Sequence, residues 1–397
     1  MNAFFKLYCR AYQTVFRLAL PVLPYREPRI LGELKDLPLF LQQQKISAVL
    51  LITDKPLRAL DMTRGLENDL SAHGIACTVF DDVVPNPTVE VVNEAAALYR
   101  SCGASSIVAL GGGSSMDVGK AVGVLANYGG SITDYEGNFK VPGPIVPMIA
   151  IPTTAGTGSE VTASAVITDT ARNYKLSVFS YEILPKYALL DPTLIMTAPA
   201  SIAASCGVDA LIHAVEAYIS RNATPFSDAM AEKAMELIGG NLRRFVANRQ
   251  DEEAACAMML GSTFAGISFA WARLGNVHAM SHPVSGYFNV PHGVANSILL
   301  PNVMAYNALA DHGRYQVIYR CIRRETGPIE HFTPDMLVEE LRRLNRDLGI
   351  PDTLSQVGVT ADKIPAMAED AMKSGNIPAN PRQTSVKDII RLYEQTM

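Results

Sequence analysis

Short apolar runs recur through the first half of the chain, separated by stretches of helical periodicity. Ala48-Val-Leu-Leu-Ile-Thr53, Ile75 to Phe80, Ser106-Ile-Val-Ala-Leu110 and Met148-Ile-Ala-Ile151 are each brief and rich in aliphatic residues. Asp54, the glycines from Gly111 and Pro152 close three of them. These features predict four buried strands. Between them lie helical stretches such as 88–100. Strands separated by helices imply a parallel sheet covered on both faces. After about residue 198 the strand-like runs largely vanish. Helical periodicity carries 201–220, 225–247, 251–271, 296–310, 334–347 and 384–396. The predicted fold is therefore an N-terminal α/β domain with a parallel sheet, residues 27–198, followed by an all-α C-terminal domain, residues 199–397.

Residues 1–26 stand apart. Phe4, Tyr8, Tyr12 and Phe16 recur every four residues, which predicts an amphipathic helix. Lys6, Arg10 and Arg17 interrupt the apolar stretch, and Leu18 to Tyr25 is far too short to span a bilayer. The expectation is a helix that docks on its own protein or on a partner subunit. The alternative is a peripheral membrane or compartment tag, because no acidic residue precedes Glu27.

Composition changes this picture little. The chain has 397 residues, enough for two cores, with 48% hydrophobic and 18% charged positions, which excludes a disordered chain. A net charge of −5 gives no sign of nucleic-acid binding. Six scattered cysteines form no CxxC pair and read as reduced thiols in a cytoplasmic protein. No transmembrane segment is expected.

Two loops carry candidate ligand chemistry. Gly111-Gly-Gly-Ser-Ser-Met-Asp-Val-Gly-Lys120 follows a strand and opens a helix. Glycines there let backbone N–H groups approach a pyrophosphate, and the helix N-terminus adds a favourable dipole. A tight turn accounts for one glycine but less well for three plus Ser114. Ile151-Pro-Thr-Thr-Ala-Gly-Thr-Gly-Ser-Glu-Val-Thr162 offers hydroxyl and amide donors, and reads equally as a solvated loop or a helix cap. Asp54 ends the first strand, where a carboxylate accepts from a ribose hydroxyl and repels a 2′-phosphate; a turn-forming aspartate is the plain alternative. In sheets of this kind ligands gather at the carboxyl ends of the strands, so Asp54, Asn86, the glycine run and Thr153-Thr154 are expected to converge.

The strongest chemical signal lies in the helical half. Asp209 and His213 are four apart in a helical run and share one face. His278, His282 and His292 fall within fifteen residues, interleaved with glycines. One carboxylate and three imidazoles suit a divalent cation such as Fe²⁺ or Zn²⁺ and leave coordination positions open. His73, His312 and His331 have no such neighbours and read as ordinary surface or structural histidines.

Gly111-Gly-Gly-Ser-x-x-Asp117, Pro152-Thr-Thr-Ala-Gly-Thr-Gly-Ser-Glu-Val-Thr162, Asp209-Ala-Leu-x-His213, Gly275-x-Val-His-x-Met-x-His282, Pro291-His-Gly-Val294 and Asn380-Pro-Arg382 together resemble the iron-containing (group III) alcohol dehydrogenases, which share the dehydroquinate synthase-like fold. The likeness spans roughly 27–397. It implies a dinucleotide-binding α/β domain followed by a helical metal domain, hydride transfer between NAD(H) and a small primary alcohol or aldehyde, and a homodimer or larger homo-oligomer. It implies Asp209, His213, His278 and His292 as ligands of Fe²⁺, with Zn²⁺ as the substitute. It implies NAD contacts, with NADP disfavoured, at Asp54, Asn86, Gly112, Gly113, Ser114, Asp117, Thr153, Thr154, Thr157, Thr162 and Lys175. His282 matches a non-ligand histidine near the nicotinamide and is a candidate proton carrier, since histidine ordinarily titrates near neutrality.

The chain departs from the family pattern at Trp271 and Arg273, where small or polar residues are usual, and at Asn376, where some members have cysteine. Ala163 and Ser164 fall in the substrate-side stretch. These bear on substrate identity; Arg273 reads as a helix-surface arginine, with contact to an anionic substrate as the alternative. Competing readings are a dehydroquinate synthase-like lyase, a polyol or phospho-polyol dehydrogenase, and a non-catalytic scaffold derived from such an enzyme. The lyase needs a Lys/Arg cluster that is not evident in the helical half. The scaffold is favoured by loss of a ligand, and all four are present.

Overall fold

The computed structural model describes residues 27–172, 174–324, 327 and 329–397. The amphipathic helix expected over 1–26 lies outside the described residues. Six strands form one parallel sheet: β1 (Arg29–Leu31), β2 (Ala48–Ile52), β3 (Ala76–Phe80), β4 (Ser106–Gly111), β6 (Met148–Pro152) and β9 (Tyr187–Leu189), in the order β1-β9-β6-β4-β2-β3. The four expected strands are β2, β3, β4 and β6. Their near-continuous apolar sequence is explained by burial on both faces. Leu50, Ile52, Ile107 and Ala109 face one core, and Val49, Leu51, Val108 and Leu110 face the other.

The chain runs outward from β2 to β3 and then returns to place β4 on β2's other side. That reversal opens a crevice beyond the carboxyl ends of β2 and β4, where Asp54 and Gly111-Gly112-Gly113 lie. A small second sheet, β5 (Gly137–Asn138), β8 (Tyr174–Phe179) and β7 (Ser164–Asp169), was not expected. The antiparallel pair β7–β8 buries Ala165, Ile167, Leu176 and Val178 on one face.

From Ala200 on, the described residues are helical or irregular, around one large core. Helices Ala200–Ile219, Pro225–Ala247, Glu252–Ala272 and Pro334–Asp347 fall within about a residue of the expected limits. His292–Asn307 starts four residues before the expected 296, and Val386–Glu394 is shorter than 384–396. Asn276–Phe288, Arg314–Arg323 and Ile364–Met372 are additional. Ala200–Ile219 and Glu252–Ala272 are long and apolar enough to cross a membrane by composition. However, 89% and 61% of their apolar windows are buried inside the protein.

Candidate active site: a carboxylate–histidine cluster facing the glycine loop

Asp209 and His213 lie one turn apart on Ala200–Ile219, both buried. His278 and His282 lie one turn apart on Asn276–Phe288, and His292 opens the next helix. Asn276–Phe288 begins at Gly275 without a local side-chain cap. Its free N–H groups are met from a distance by Glu216, 2% exposed, which accepts from Val277 N at 2.7 Å and His278 N at 3.4 Å. Asn380 Oδ1 accepts from Asn276 N at 3.2 Å. The same Glu216 carboxylate accepts from His278 Nδ1 at 2.6 Å. Nδ1 must then carry the proton, so Nε2 presents a lone pair. His213 is oriented alike, its Nδ1 donating to Gly156 O at 3.2 Å.

Candidate ligand atoms of Asp209, His278 and His292 all lie within 4.8 Å of one another. The amide nitrogen of Asn296 sits at their focus, 2.6 Å from Asp209 Oδ1, 3.1 Å from His278 Nε2 and 3.0 Å from His292 Nε2. An amide NH₂ has two hydrogens for three acceptors, and Asn296 Oδ1 is left buried with no partner. This surplus of acceptors fits a cation. His213 stands beside the cluster, its ring stacked 4.6 Å from His278 and 4.5 Å from Phe269. His282 lies outside the compact group, its ring 5.3 Å from His292 and 6.3 Å from His278.

The electrostatics match a site built for a cation. Burial pushes His213 down to about 4 and His292 to about 3. Burial alone would raise Asp209, but the surrounding histidines, His213 foremost, hold it well below the carboxylate range. Burial opposes charge on His278 as well, yet Asp209 and Glu216 outweigh it and raise the ring to about 9, so its Nε2 must give up a proton before that lone pair can hold a cation. His282 is held well below its ordinary value, by burial first and then by His292, His278 and Lys175. The near-neutral titration expected for His282 is therefore corrected.

The cluster opens into a cleft of about 390 Å³ whose other wall is the α/β half. Asn86, Gly113, Ser114, Asp117, Thr157, Thr162 and Lys175 line it together with Asp209, His213, His278, His282 and His292. Lys175 Nζ donates to Asn86 Oδ1 at 2.8 Å, and burial lowers its ammonium to about 8. A Cβ on Gly113 would stand 2.9 Å from Thr157 Cγ2, so the two loops touch there and nothing larger than glycine fits.

Asp117 accepts from Ser159 Oγ at 2.8 Å and Val166 N at 3.0 Å. Lys120, fully buried, donates to Ser159 Oγ at 2.7 Å and Ser164 O at 2.8 Å. This network joins the glycine loop's helix to the loop after β6. Asp54, Gly112, Thr153 and Thr154 are not among the lining side chains. Asp54 caps the helix Lys55–Ala59, its Oδ1 accepting from Leu57 N at 2.9 Å, the plainer role foreseen for it. Thr153 is buried behind the loop, and Thr154 Oγ1 packs 3.5 Å from where a Gly112 Cβ would lie.

Sequence reading missed Glu216 and Asn296. Glu216 sits one turn after His213 and seven after Asp209, and Asn296 one turn after His292. That helical spacing was the available signal. The reading of Arg273 is corrected: it follows the last turn of Glu252–Ala272 and lines the cleft.

A parallel sheet with a glycine loop at its crevice, facing a buried carboxylate–histidine cluster across one cleft, defines a metal-dependent, nicotinamide-linked oxidoreductase. Residues 30–192 match the family "Iron-containing alcohol dehydrogenase" and residues 203–397 match "Fe-containing alcohol dehydrogenase family, C-terminal". The chain belongs to the iron-containing alcohol dehydrogenase family, oxidoreductases that act on CH–OH groups with NAD and iron.

It is 40% identical over 348 residues to lactaldehyde reductase of Escherichia coli K12, covering 87% of this chain and 90% of that one. It is 36% identical over 367 residues to the NAD-dependent methanol dehydrogenase of Bacillus methanolicus, covering 92% and 96%. The structure of a 1,3-propanediol oxidoreductase superposes with a TM-score of 0.90 at 36% identity, covering 94% of this chain and 99% of that one.

Proposed function

We propose that Asp209, His213, His278 and His292 hold one divalent cation, Fe²⁺ first with Zn²⁺ as the substitute, and that the reaction interconverts a small primary alcohol and its aldehyde with NAD(H). The relatives named above for lactaldehyde, methanol and 1,3-propanediol support short, oxygenated substrates. The observation that carries the reading is the convergence of Asp209 Oδ1, His278 Nε2 and His292 Nε2 on the Asn296 amide, in a cleft whose opposite wall is the glycine loop.

When bound, the cation supplies Lewis acidity toward the substrate oxygen and NAD supplies the hydride acceptor. The chain does the rest. Asp209 brings the one negative charge of the set. Glu216 and Gly156 hold the His278 and His213 rings with Nε2 forward. Gly113, Ser114 and Thr157 line the dinucleotide side, with Asp117, Thr162, Asn86 and Lys175 around it. Gly112, Thr153 and Thr154 support that wall from behind, and Asp54 stands one strand over to favour NAD over NADP. His282, against His292 and outside the compact group, is the candidate proton carrier; held well below its ordinary value, it would pass the hydroxyl proton onward rather than keep it as the alcohol is oxidised. The chain divides near residue 198, because one core cluster lies almost wholly after that point and the other two lie before it. Two copies or more assemble, in the cytoplasm.

His278→Ala is expected to lose both the metal and activity, whereas His282→Ala keeps the metal and slows turnover by about 10²-fold or more. Metal content by plasma emission, read beside NADH absorbance with short aldehydes, checks both. Full activity in a metal-free His278→Ala protein would reject the scheme. Metal loss on changing His282 would mean that the ligand and proton-carrier roles are exchanged.

A further inference from the structure

Arg273 is built into the cleft at a conformational cost. It ends the helix Glu252–Ala272 with φ 63° and ψ 176°, a backbone region that is essentially glycine's own. The next residues, Leu274 and Gly275, lead directly into the helix that carries His278 and His282. The strained arginine is thus five residues from a cluster histidine. Its side chain reaches over Gly375, with Nη1 3.8 Å from where a Cβ on Gly375 would stand, beside Asn376 of the cleft wall.

The backbone N–H of Arg273 donates to Phe269 O at 2.8 Å. Its guanidinium has no hydrogen bond or ion pair to any described residue, whereas Arg314 and Arg382 of the same helical half are both engaged. The carboxylates that line the cleft are Asp117 and Asp209, each bound into its own network. An arginine held in a glycine conformation, at the cleft, with five N–H donors unmet by described residues, calls for an anionic group with two or more oxygen acceptors from outside the chain.

We propose that Arg273 is a specificity-determining residue that binds an anionic group at the far end of the substrate. The site then takes short aldehydes or alcohols ending in a carboxylate or a sulfonate. The inference rests on the reading of the cleft as an alcohol/aldehyde site. It names the end of the substrate remote from the reacting carbon, at the part of the cleft wall that Arg273 and Asn376 line. Phe269, against His213, and Leu274 add apolar surface to the same cleft, which suits a short carbon chain.

The test compares substrates of equal length that differ only at the remote end: a carboxylate, a sulfonate and a methyl group. Metal-loaded, full-length protein is assayed with NADH, as wild type, Arg273→Gly and Arg273→Lys. Glycine suits the backbone at this position, so the first variant is expected to fold. Wild type is expected to favour the anionic aldehydes in kcat/KM. Arg273→Gly is expected to lose about 10–100-fold toward them while its rate on the methyl-ended aldehyde holds or rises. Arg273→Lys keeps part of the preference, having the charge but not the fork. The carboxylate and sulfonate arms separate the two sources of the same charge.

Equal kcat/KM ratios in wild type and Arg273→Gly would overturn the proposal while leaving the alcohol dehydrogenase reading intact. Were no aldehyde reduced at all, that reading would fail. Arg273 would then be judged by equilibrium binding of the carboxylate-ended alcohol to wild type against Arg273→Gly, and equal affinities would overturn it.

Discussion

At the scale of single residues, the site depends on side chains whose task is to aim others. Glu216 does two jobs with one carboxylate: it receives two N–H groups at the start of Asn276–Phe288 and fixes the His278 tautomer. Partners of this kind set ring orientation and raise ligand basicity. Glu216→Gln keeps the shape but removes the charge. It is expected to weaken metal affinity by about 10–100-fold, with circular dichroism unchanged. Competition against a chromophoric chelator measures it, and wild-type affinity would show that the His278 ring is aimed by packing alone. The motifs around Asp209, His213, His278 and His292 were legible because they are spaced by helical turns. Glu216 obeys the same spacing, but a lone glutamate in a helix has too many ordinary explanations. Its role appears only when residues 61 and 62 positions away fold onto it.

At the scale of elements, the glycine loop's helix and the loop after β6, proposed to face the dinucleotide, are held in register by one buried lysine. Lys120 bridges the helix Gly113–Tyr128 to Ser159 and Ser164 and lies 3.7 Å from Asp117. Burial lowers Lys120 to about 8 against the opposing pull of Asp117 and Glu160, so it still carries its proton at pH 7. Lys120→Met leaves Asp117 and Glu160 without that charge in an enclosed site. It is expected to cost roughly 3–5 kcal/mol of stability, visible as a lower melting temperature. An unchanged melting temperature would sink this account of how the loops are joined.

The elements that escaped sequence reading did so for different reasons. Asn276–Phe288 contains Pro283 and three histidine- or glycine-flanked turns, and its start is capped by Glu216 and Asn380 rather than by a neighbour in sequence. The β7–β8 hairpin does alternate buried and exposed positions, a period of two that was there to be seen. It was masked by the polar, glycine-rich stretch leading into it.

At the scale of the whole molecule, the proposed cation site draws on three helices: Ala200–Ile219, Asn276–Phe288 and His292–Asn307. Binding to the folded state alone must therefore stabilise the helical half. With free metal at a thousand times its dissociation constant the gain is about 4 kcal/mol. Stripping the protein with a chelator is expected to lower its melting temperature by several degrees, and adding Fe²⁺ or Zn²⁺ back restores it. Calorimetry on stripped and reloaded protein checks this; identical melting curves would mean that the cluster does not bind a cation in the native fold.

Four of the strands of the parallel sheet, most of the long helices of the second half and the spacing of the carboxylate and histidines that cluster were determined along the chain itself. Burial on both faces makes a parallel strand continuously apolar, and helical pitch places every fourth residue on one face. Other features only the tertiary structure decided. Glu216 became a cap and a ring-holder, Asp54 capped a helix rather than lining the cleft, and Arg273 turned from a helix surface into the cleft. Each depends on contacts between segments far apart in sequence, or on a backbone angle that no side-chain pattern encodes. Local periodicity carries no information about either.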